Sequence, residues 1–408
     1  MRGCCYPLAM LRRLQLLTGG ESHGPGLTAL LVGLPAGIAV DFDFLRSEMR
    51  RRQHGYGRGR RMVIEEDEVE IRGGVRDGET LGSPIALWVR NRDWENWQTI
   101  MDPVETDPHM VEKRRMHAPR PGHVDLAGGM KFLRSDLRDV LERASARETA
   151  ARVGAAAFAK LFLREIGVEI RSGVRSLGPV GADAPTPDWD DLQAVDDDSP
   201  LRAVDRDLEE EMVRLVDEMK GEGDTLGGSV TVIGHGVPMG LGSHVQWDQK
   251  LDGRIAQAMM SIPAVKAVEL GSALAASRGP GSRAHDPIER GDSGWHRPTN
   301  RAGGLEAGIT DGADLSVTVY MKPISTLARG MPSVDLDTME PHRSQYERSD
   351  VTALPACGIV AEAMMALVLA DVVLEKTGGD SMTEVQDHLE KTLAEQELWP
   401  RRAGEAVP

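Results

Sequence analysis

Glu142-Arg143-Ala144-Ser145-Ala146-Arg147-Glu148-Thr149-Ala150-Ala151-Arg152-Val153-Gly154-Ala155-Ala156-Ala157-Phe158-Ala159-Lys160 is the stretch on which the fold turns. Its strong helix formers and its lack of proline predict a helix of about five turns. Most of its side chains are too small to fill a core alone, so other backbones or a flat ligand can come close. Arg143 and Arg147 stand four residues apart and would share a side, with Ser145 and Thr149 beside them. That arrangement gives a cationic, hydrogen-bonding edge on a tightly packed helix. A buried Ala-rich helix with a solvated arginine stripe accounts for the same residues.

Around this helix, 408 residues with 40% hydrophobic content can bury a substantial core. The 48 basic residues against 64 acidic ones give a net charge of -16, which argues against a nucleic-acid binder working through its overall field. Arginine is nonetheless crowded into a few short segments, while acid dominates from Ala182 to Glu222. Local cationic pockets in an acidic protein suit a small anionic ligand better than a polyanion. Three cysteines, two of them adjacent at Cys4 and Cys5, make neither a disulfide framework nor a metal site, so a reducing cytoplasm is expected. No apolar run is read as approaching the roughly 18 to 20 residues of a membrane span. Arg12 and Arg13 interrupt the apolar start, so no signal peptide is expected. Residues 1–9 read as an extension ahead of Met10, 10–399 as a single domain, and 400–408 as a flexible tail.

Strands are expected at 11–18, 27–32, 69–72, 85–89, 229–233 and 315–321, the last with Leu315, Val317, Val319 and Met321 alternating with polar positions. Helices are expected from Asp43, through Leu208, Met212, Leu215 and Met219 to a stop at Gly221 and Gly223, over 251–260, over 357–376, and after the capping box of Ser381 and Glu384. The segment 91–117 has little periodicity and reads as a long surface excursion.

Several loops carry chemistry. His23 lies in the turn Gly19-Gly20-Glu21-Ser22-His23-Gly24-Pro25-Gly26, where backbone N–H groups can face a ligand, although taken alone a histidine in such a turn is more often structural. The run from Arg50 to Arg61, loosened by Gly55, Gly57 and Gly59, reads as a mobile anion-binding loop; a surface cluster or, more weakly in so acidic a chain, a nucleic-acid patch accounts for the same residues. In Arg120-Pro121-Gly122-His123-Val124-Asp125, an imidazole is presented by a Pro-Gly turn with a carboxylate two residues away, an acid–base candidate. Lys322-Pro323-Ile324-Ser325-Thr326 places a cation and two hydroxyls at a strand end, where they could hold a phosphate or a ring carbonyl, or simply cap the strand.

Together and in this order, these blocks resemble the chorismate synthase family. The match continues through Gly223-Asp224-Thr225-Leu226-Gly227-Gly228, 300–306 and Arg348-Ser349-Asp350-Val351, and it covers essentially 10–399. The resemblance implies an α+β fold, with a helical layer sandwiched between two antiparallel sheets, assembled as a homotetramer. It implies an anti-1,4 elimination of phosphate from 5-enolpyruvylshikimate 3-phosphate to give chorismate. Reduced FMN is required without net redox change, and NADPH enters only as an electron source. By the same resemblance His23 is the acid toward the departing phosphate, His123 the proton partner of the reduced flavin, and Asp350 a carboxylate that helps proton removal. Arg143, Ala144, Ser145, Pro263, Ala264, Ala307, Lys322, Pro323, Ile324, Ser325, Thr326 and Arg348 fall where the family binds FMN. Arg52 and Arg58 fall where it binds anionic substrate or a nicotinamide phosphate. No metal, nucleic acid or membrane partner is implied. Val124 replaces the usual Ala, Leu126 stands where an aromatic is common, and Pro263 sits at a typically polar position. An FMN-dependent oxidoreductase acting on a small anion is the alternative; a non-catalytic anion binder would explain the arginine loops but neither histidine loop.

Overall fold

The computed structural model describes residues 11–58, 67–291, 294–347 and 350–399. Arg348, the second half of the arginine run, residues 1–9 and the tail therefore lie outside the described residues.

Two four-stranded antiparallel sheets enclose a layer of helices. The first sheet runs Gln15–Gly19, Gly26–Val32, Ile85–Arg90, Val69–Gly73 in spatial order, and the second Val265–Leu270, Leu315–Met321, Gly228–His235, Glu169–Leu177. Between them the helix Thr149–Arg164 lies against the first sheet, and Leu354–Thr377 packs on both that helix and the second sheet. Phe42–Gln53 and Leu251–Met260 complete the layer. Both sheets and these helices contribute to one hydrophobic cluster. Ala155, Ala156, Ala157 and Ala159 are fully buried, which is how small side chains let the two long helices approach each other closely.

The central helix is not continuous. Arg138–Ala144 is one helix, Ala146–Glu148 a 3₁₀ turn, and Thr149–Arg164 a second helix, because Ser145 is extended (φ -65°, ψ 141°). Its hydroxyl accepts from the Arg147 N–H at 3.3 Å, so the serine caps a new start rather than extending the old helix. Arg143 and Arg147 consequently do not form one edge: Arg143 is half exposed, whereas Arg147 is buried.

Three further expectations are corrected. Arg50 to Gln53 are the last turn of the first helix rather than a loop, and Arg51 and Arg52 turn inward. Ser316 and Thr318 of Leu315–Met321 are buried along with the apolar positions while Tyr320 is half-buried, and Thr318 satisfies its hydroxyl on Thr231 at 2.9 Å. Finally, Leu354–Thr377 is long and apolar enough to span a membrane, with a mean hydropathy of 2.2, yet its apolar window is wholly buried among the other layers. Two of its three acids, Glu362 and Asp371, are what fix it there. Glu362 receives Arg51 at 2.9 and 3.0 Å, Lys160 at 2.6 Å and Ser172 at 2.7 Å. Burial works against that carboxylate, but Arg51, Lys160 and Arg202 hold it well below the usual range. Asp371 accepts from the backbone N–H groups of Arg12, Arg13 and Leu14 at 2.7 to 3.0 Å and pairs with Arg254. Leu251–Met260 forms as expected, and Arg206–Glu222 ends at Gly223.

Candidate active site

His23 is placed by a turn that only glycine can open: Gly20 has φ +103°, and a Cβ there would lie 2.4 Å from the Gly26 carbonyl. Asn91 closes the turn from outside, donating to the carbonyls of Ser22 and Gly24 at 3.0 and 2.9 Å. Glu142, at the end of the Arg138–Ala144 helix, meets Nδ1 of His23 with both carboxylate oxygens, at 2.8 and 3.0 Å. Arg138 backs the same carboxylate at 3.1 Å, and Trp97 stacks on the imidazole with centroids 3.8 Å apart. Burial would raise the Glu142 carboxyl, but His23 and Arg138 hold it below its ordinary value. The 91–117 segment is thus not only a surface excursion, since its Trp97 is buried over the histidine.

His123 is held in the same manner on another loop. Its Nδ1 lies 2.5 Å from Asp125, which also receives the Arg120 backbone N–H at 3.0 Å and its side chain at 2.7 and 3.0 Å. Asp125 is fully buried; burial opposes its charge, but His123 and Arg120 keep it well below the usual carboxylate range. Arg120 continues to Thr326 at 2.9 Å. Gly122, at φ +78°, brings its carbonyl within 3.0 Å of the Lys322 ammonium and 2.8 Å of the Ser325 hydroxyl. Lys322 to Thr326 therefore border the His123 loop directly. The Lys322 N–H donates to the Ala264 carbonyl at 2.9 Å, which joins Pro263 and Ala264 to the same face. Burial and the charge of Lys266 press Lys322 below its ordinary value.

A third cluster sits at the start of the helix Thr149–Arg164. Arg52 and Arg147 both close on Asp67, and Arg52 reaches the Thr149 hydroxyl at 3.4 Å. Burial and the like charges of Arg147 and Arg58 lower Arg52 against the pull of Asp67. Arg58 lies 3.1 Å from Asp350. Guanidiniums gathered at a helix N-terminus form a ready anion site.

Arg143 reaches the Thr18 carbonyl and hydroxyl at 3.0 and 2.7 Å, beside the His23 turn. It is linked through Glu148 (3.7 Å) and Arg152 (2.9 Å) to Ser261 (2.8 Å), two residues before Pro263. A polar chain thus connects Arg143, Ala144 and Ser145 with the Pro263 side of the site. Ala307 is placed apart, at the tip of the hairpin Leu305–Glu306 and Ile309–Thr310, whose neighbours are Leu241 and Lys250. Ala264 and Ala307 both adopt left-handed backbone, φ +69° and +52°, a strained choice for alanine. Sequence reasoning assigned no role to Glu142, Arg138, Trp97, Asp67 or Arg120. Only the four-residue spacing of Arg138 and Glu142 was visible as a pair; the histidine they serve is 119 residues from Glu142.

The comparisons with known proteins agree along the chain. The family model for chorismate synthase matches residues 14–374. The chorismate synthase of Moorella thermoacetica is 52% identical over 378 residues, 92% of this chain and 97% of that protein. The chorismate synthase of Thermus thermophilus is 50% identical over 379 residues, 93% and 98% of the two chains. A crystal structure of chorismate synthase superposes with a TM-score of 0.76 at 41% identity, covering 95% of this chain and all of that one. With relatives at this identity over nearly its whole length, the chain belongs to the chorismate synthase family.

Proposed function

We propose how this chain carries out the reaction of its family, the elimination of phosphate from 5-enolpyruvylshikimate 3-phosphate to give chorismate in the shikimate pathway. The observation that carries the reading is the pair of imidazoles, each clamped through Nδ1 by a buried carboxylate and an arginine, with guanidiniums and an ammonium alongside. Such rings are oriented for proton transfer through Nε2. The substrate carries a phosphate and two carboxylates, and planar arginine forks suit both groups. Arg52, Arg58 and Arg147 take these anionic groups, His23 gives a proton to the departing phosphate, and Asp350, held by Arg58, accepts one.

The residues fit reduced FMN. Lys322, Ser325 and Thr326 supply an ammonium and hydroxyls of the kind that hold a phosphate or ring carbonyl, Ala264 offers a backbone face, and Arg143 to Ser145 close the other side. When bound, reduced FMN supplies electron density as phosphate leaves and recovers it as the ring hydrogen departs, with no net redox change. Arg348 and Ala307 belong to the same assignment, and His123 handles the proton on the cofactor side. NADPH serves only as the electron source.

We assign residues 10–399 to a single domain working as a homotetramer in the cytoplasm. Val124, Leu126, Met130, Phe132 and Leu133, exposed beside His123, support the oligomer.

The test is anaerobic turnover with 5-enolpyruvylshikimate 3-phosphate and dithionite-reduced FMN, following chorismate and phosphate together. Stoichiometric release of both, lost with oxidised FMN and strongly slowed in His123→Ala, is expected. Folded, FMN-binding protein that forms neither product would refute the reading.

A further inference from the structure

We propose that Glu142 is the positioning residue of His23: it holds the imidazole with Nδ1 on its carboxylate, so that Nε2 is the nitrogen that serves the substrate. The proposal rests on His23 being the acid, as assigned above.

Glu142 grips the histidine at more than one point. Beyond the two contacts to Nδ1, its Oε2 accepts the backbone N–H of His23 at 2.8 Å, and its own carbonyl accepts the N–H of Ser22 at 3.0 Å. One residue thereby sets both the loop and the rotation of the ring it carries. Charged groups around the pair include Arg138 on the Glu142 helix, Glu347 on the far side of Arg138 at 2.7 Å, Arg114, and Arg143, which donates to the Gly20 carbonyl of the His23 turn at 3.3 Å. Arg114 and Arg138 lie 5.2 and 5.1 Å from the ring of Trp97, whose stacking on His23 restricts tilting of the imidazole.

The chemical reason for a carboxylate is its inventory. An ionised carboxylate only accepts, so a ring nitrogen facing it must carry a proton. With that proton fixed on Nδ1, the reactive proton is the one on Nε2. In the acid step the Nε2–H bond breaks, an O–H bond forms on the departing phosphate, and the imidazolium becomes the neutral Nδ1–H tautomer already in place. Neither the ring nor the loop rearranges. An amide could turn either its oxygen or its NH₂ toward Nδ1, so a glutamine would admit the opposite tautomer.

The experiment compares wild type, Glu142→Gln and Glu142→Asp as full-length protein with 15N ring-labelled histidine, His23 being recognised by the signals missing from His23→Gln. Nδ1 of wild-type His23 is expected to carry a proton in the neutral ring as well as in the imidazolium. Glu142→Gln is expected to mix tautomers and to lower kcat by about 10²- to 10⁴-fold with KM little changed. Glu142→Asp, still acceptor-only, recovers the tautomer and part of the rate. An unchanged tautomer in Glu142→Gln, or a loss confined to KM, overturns the proposal. Should Glu142→Gln not fold, the wild-type spectrum decides, because a neutral ring protonated on Nε2 also overturns it. Undiminished turnover by His23→Gln would instead overturn the acid assignment, and the nitrogen spectra separate the two failures.

Discussion

Replacing Asp125 by Asn removes one charge from a fully buried position while keeping the shape of the side chain. Arg120 loses the carboxylate that receives its backbone and two of its side-chain nitrogens, and its own side chain is only 6% exposed, so little water can take over. Breaking a buried pair from one side costs about 3 to 5 kcal/mol. For a chain of 408 residues, an unfolding entropy of about 2.1 cal/mol/K per residue amounts to about 0.9 kcal/mol/K, so the melting temperature should fall by roughly 4 to 6 °C at pH 7. The effect has a pH signature. The folded-state carboxyl sits below its unfolded value of about 3.9, so its contribution is full above that pH and is lost as pH falls toward the folded value. Through the Asp125 proton itself, the gap between wild type and variant closes by no more than about 1.4 kcal/mol per pH unit, and only below about pH 4. Matched denaturant unfolding at pH 7, 5, 4 and 3 checks this. A gap that is absent at pH 7, or that stays constant down to pH 3, refutes the reasoning.

Asp67→Asn leaves the buried Arg52 and Arg147 without the carboxylate they share, so the ligand-free variant should lose about 3 to 5 kcal/mol of stability. Inorganic phosphate should then raise its melting temperature more than that of wild type, and equal shifts would count against an anion site there. Asp371→Ala should destabilise by a similar amount and speed amide exchange in Gln15–Gly19, yet leave kcat at 25 °C unchanged; a fall in kcat would tie this distant carboxylate to the site. Gly122→Ala forces a left-handed alanine at a cost of about 1 to 2 kcal/mol and strains the turn whose carbonyl receives Ser325 and Lys322, so fluorescence titration should show weaker FMN binding, and unaltered affinity would separate that loop from the cofactor.

What the sequence disclosed followed from locality. Leu251–Met260 and Leu315–Met321 are bounded where their patterns begin and end, and the Gly20 and Gly122 turns present histidines as their composition suggested. The break at Ser145 was hidden because helix propensity sums over a window, while one serine hydroxyl competing for a backbone N–H acts at a single residue. The run from Arg50 read as a loop in part because Arg51 and Arg52 turn inward onto Glu362 and Asp67, carboxylates that lie outside their own helix. The acid beside His123 lies two residues away and was readable, whereas Glu142 and Trp97 are brought to His23 only by tertiary folding.

The anchoring of Arg12, Arg13 and Leu14 by Asp371 spans 357 to 359 positions of the chain. On a ribosome adding roughly 5 to 20 residues per second, the first strand emerges about 18 to 70 seconds before its anchor exists. Ala36 waits similarly for the Asp380 carbonyl at 2.9 Å. Even in the finished fold Gln15–Gly19 keeps one paired neighbour and an open side, with Leu17 65% exposed, so what arrives late is the anchor at the start of the strand and not cover for its edge. Synthesis of the segment that carries Asp371 and Asp380 is therefore what ties down the start of this fold, and slow translation of the last third would lengthen the interval in which Arg12 to Leu14 lack their anchor.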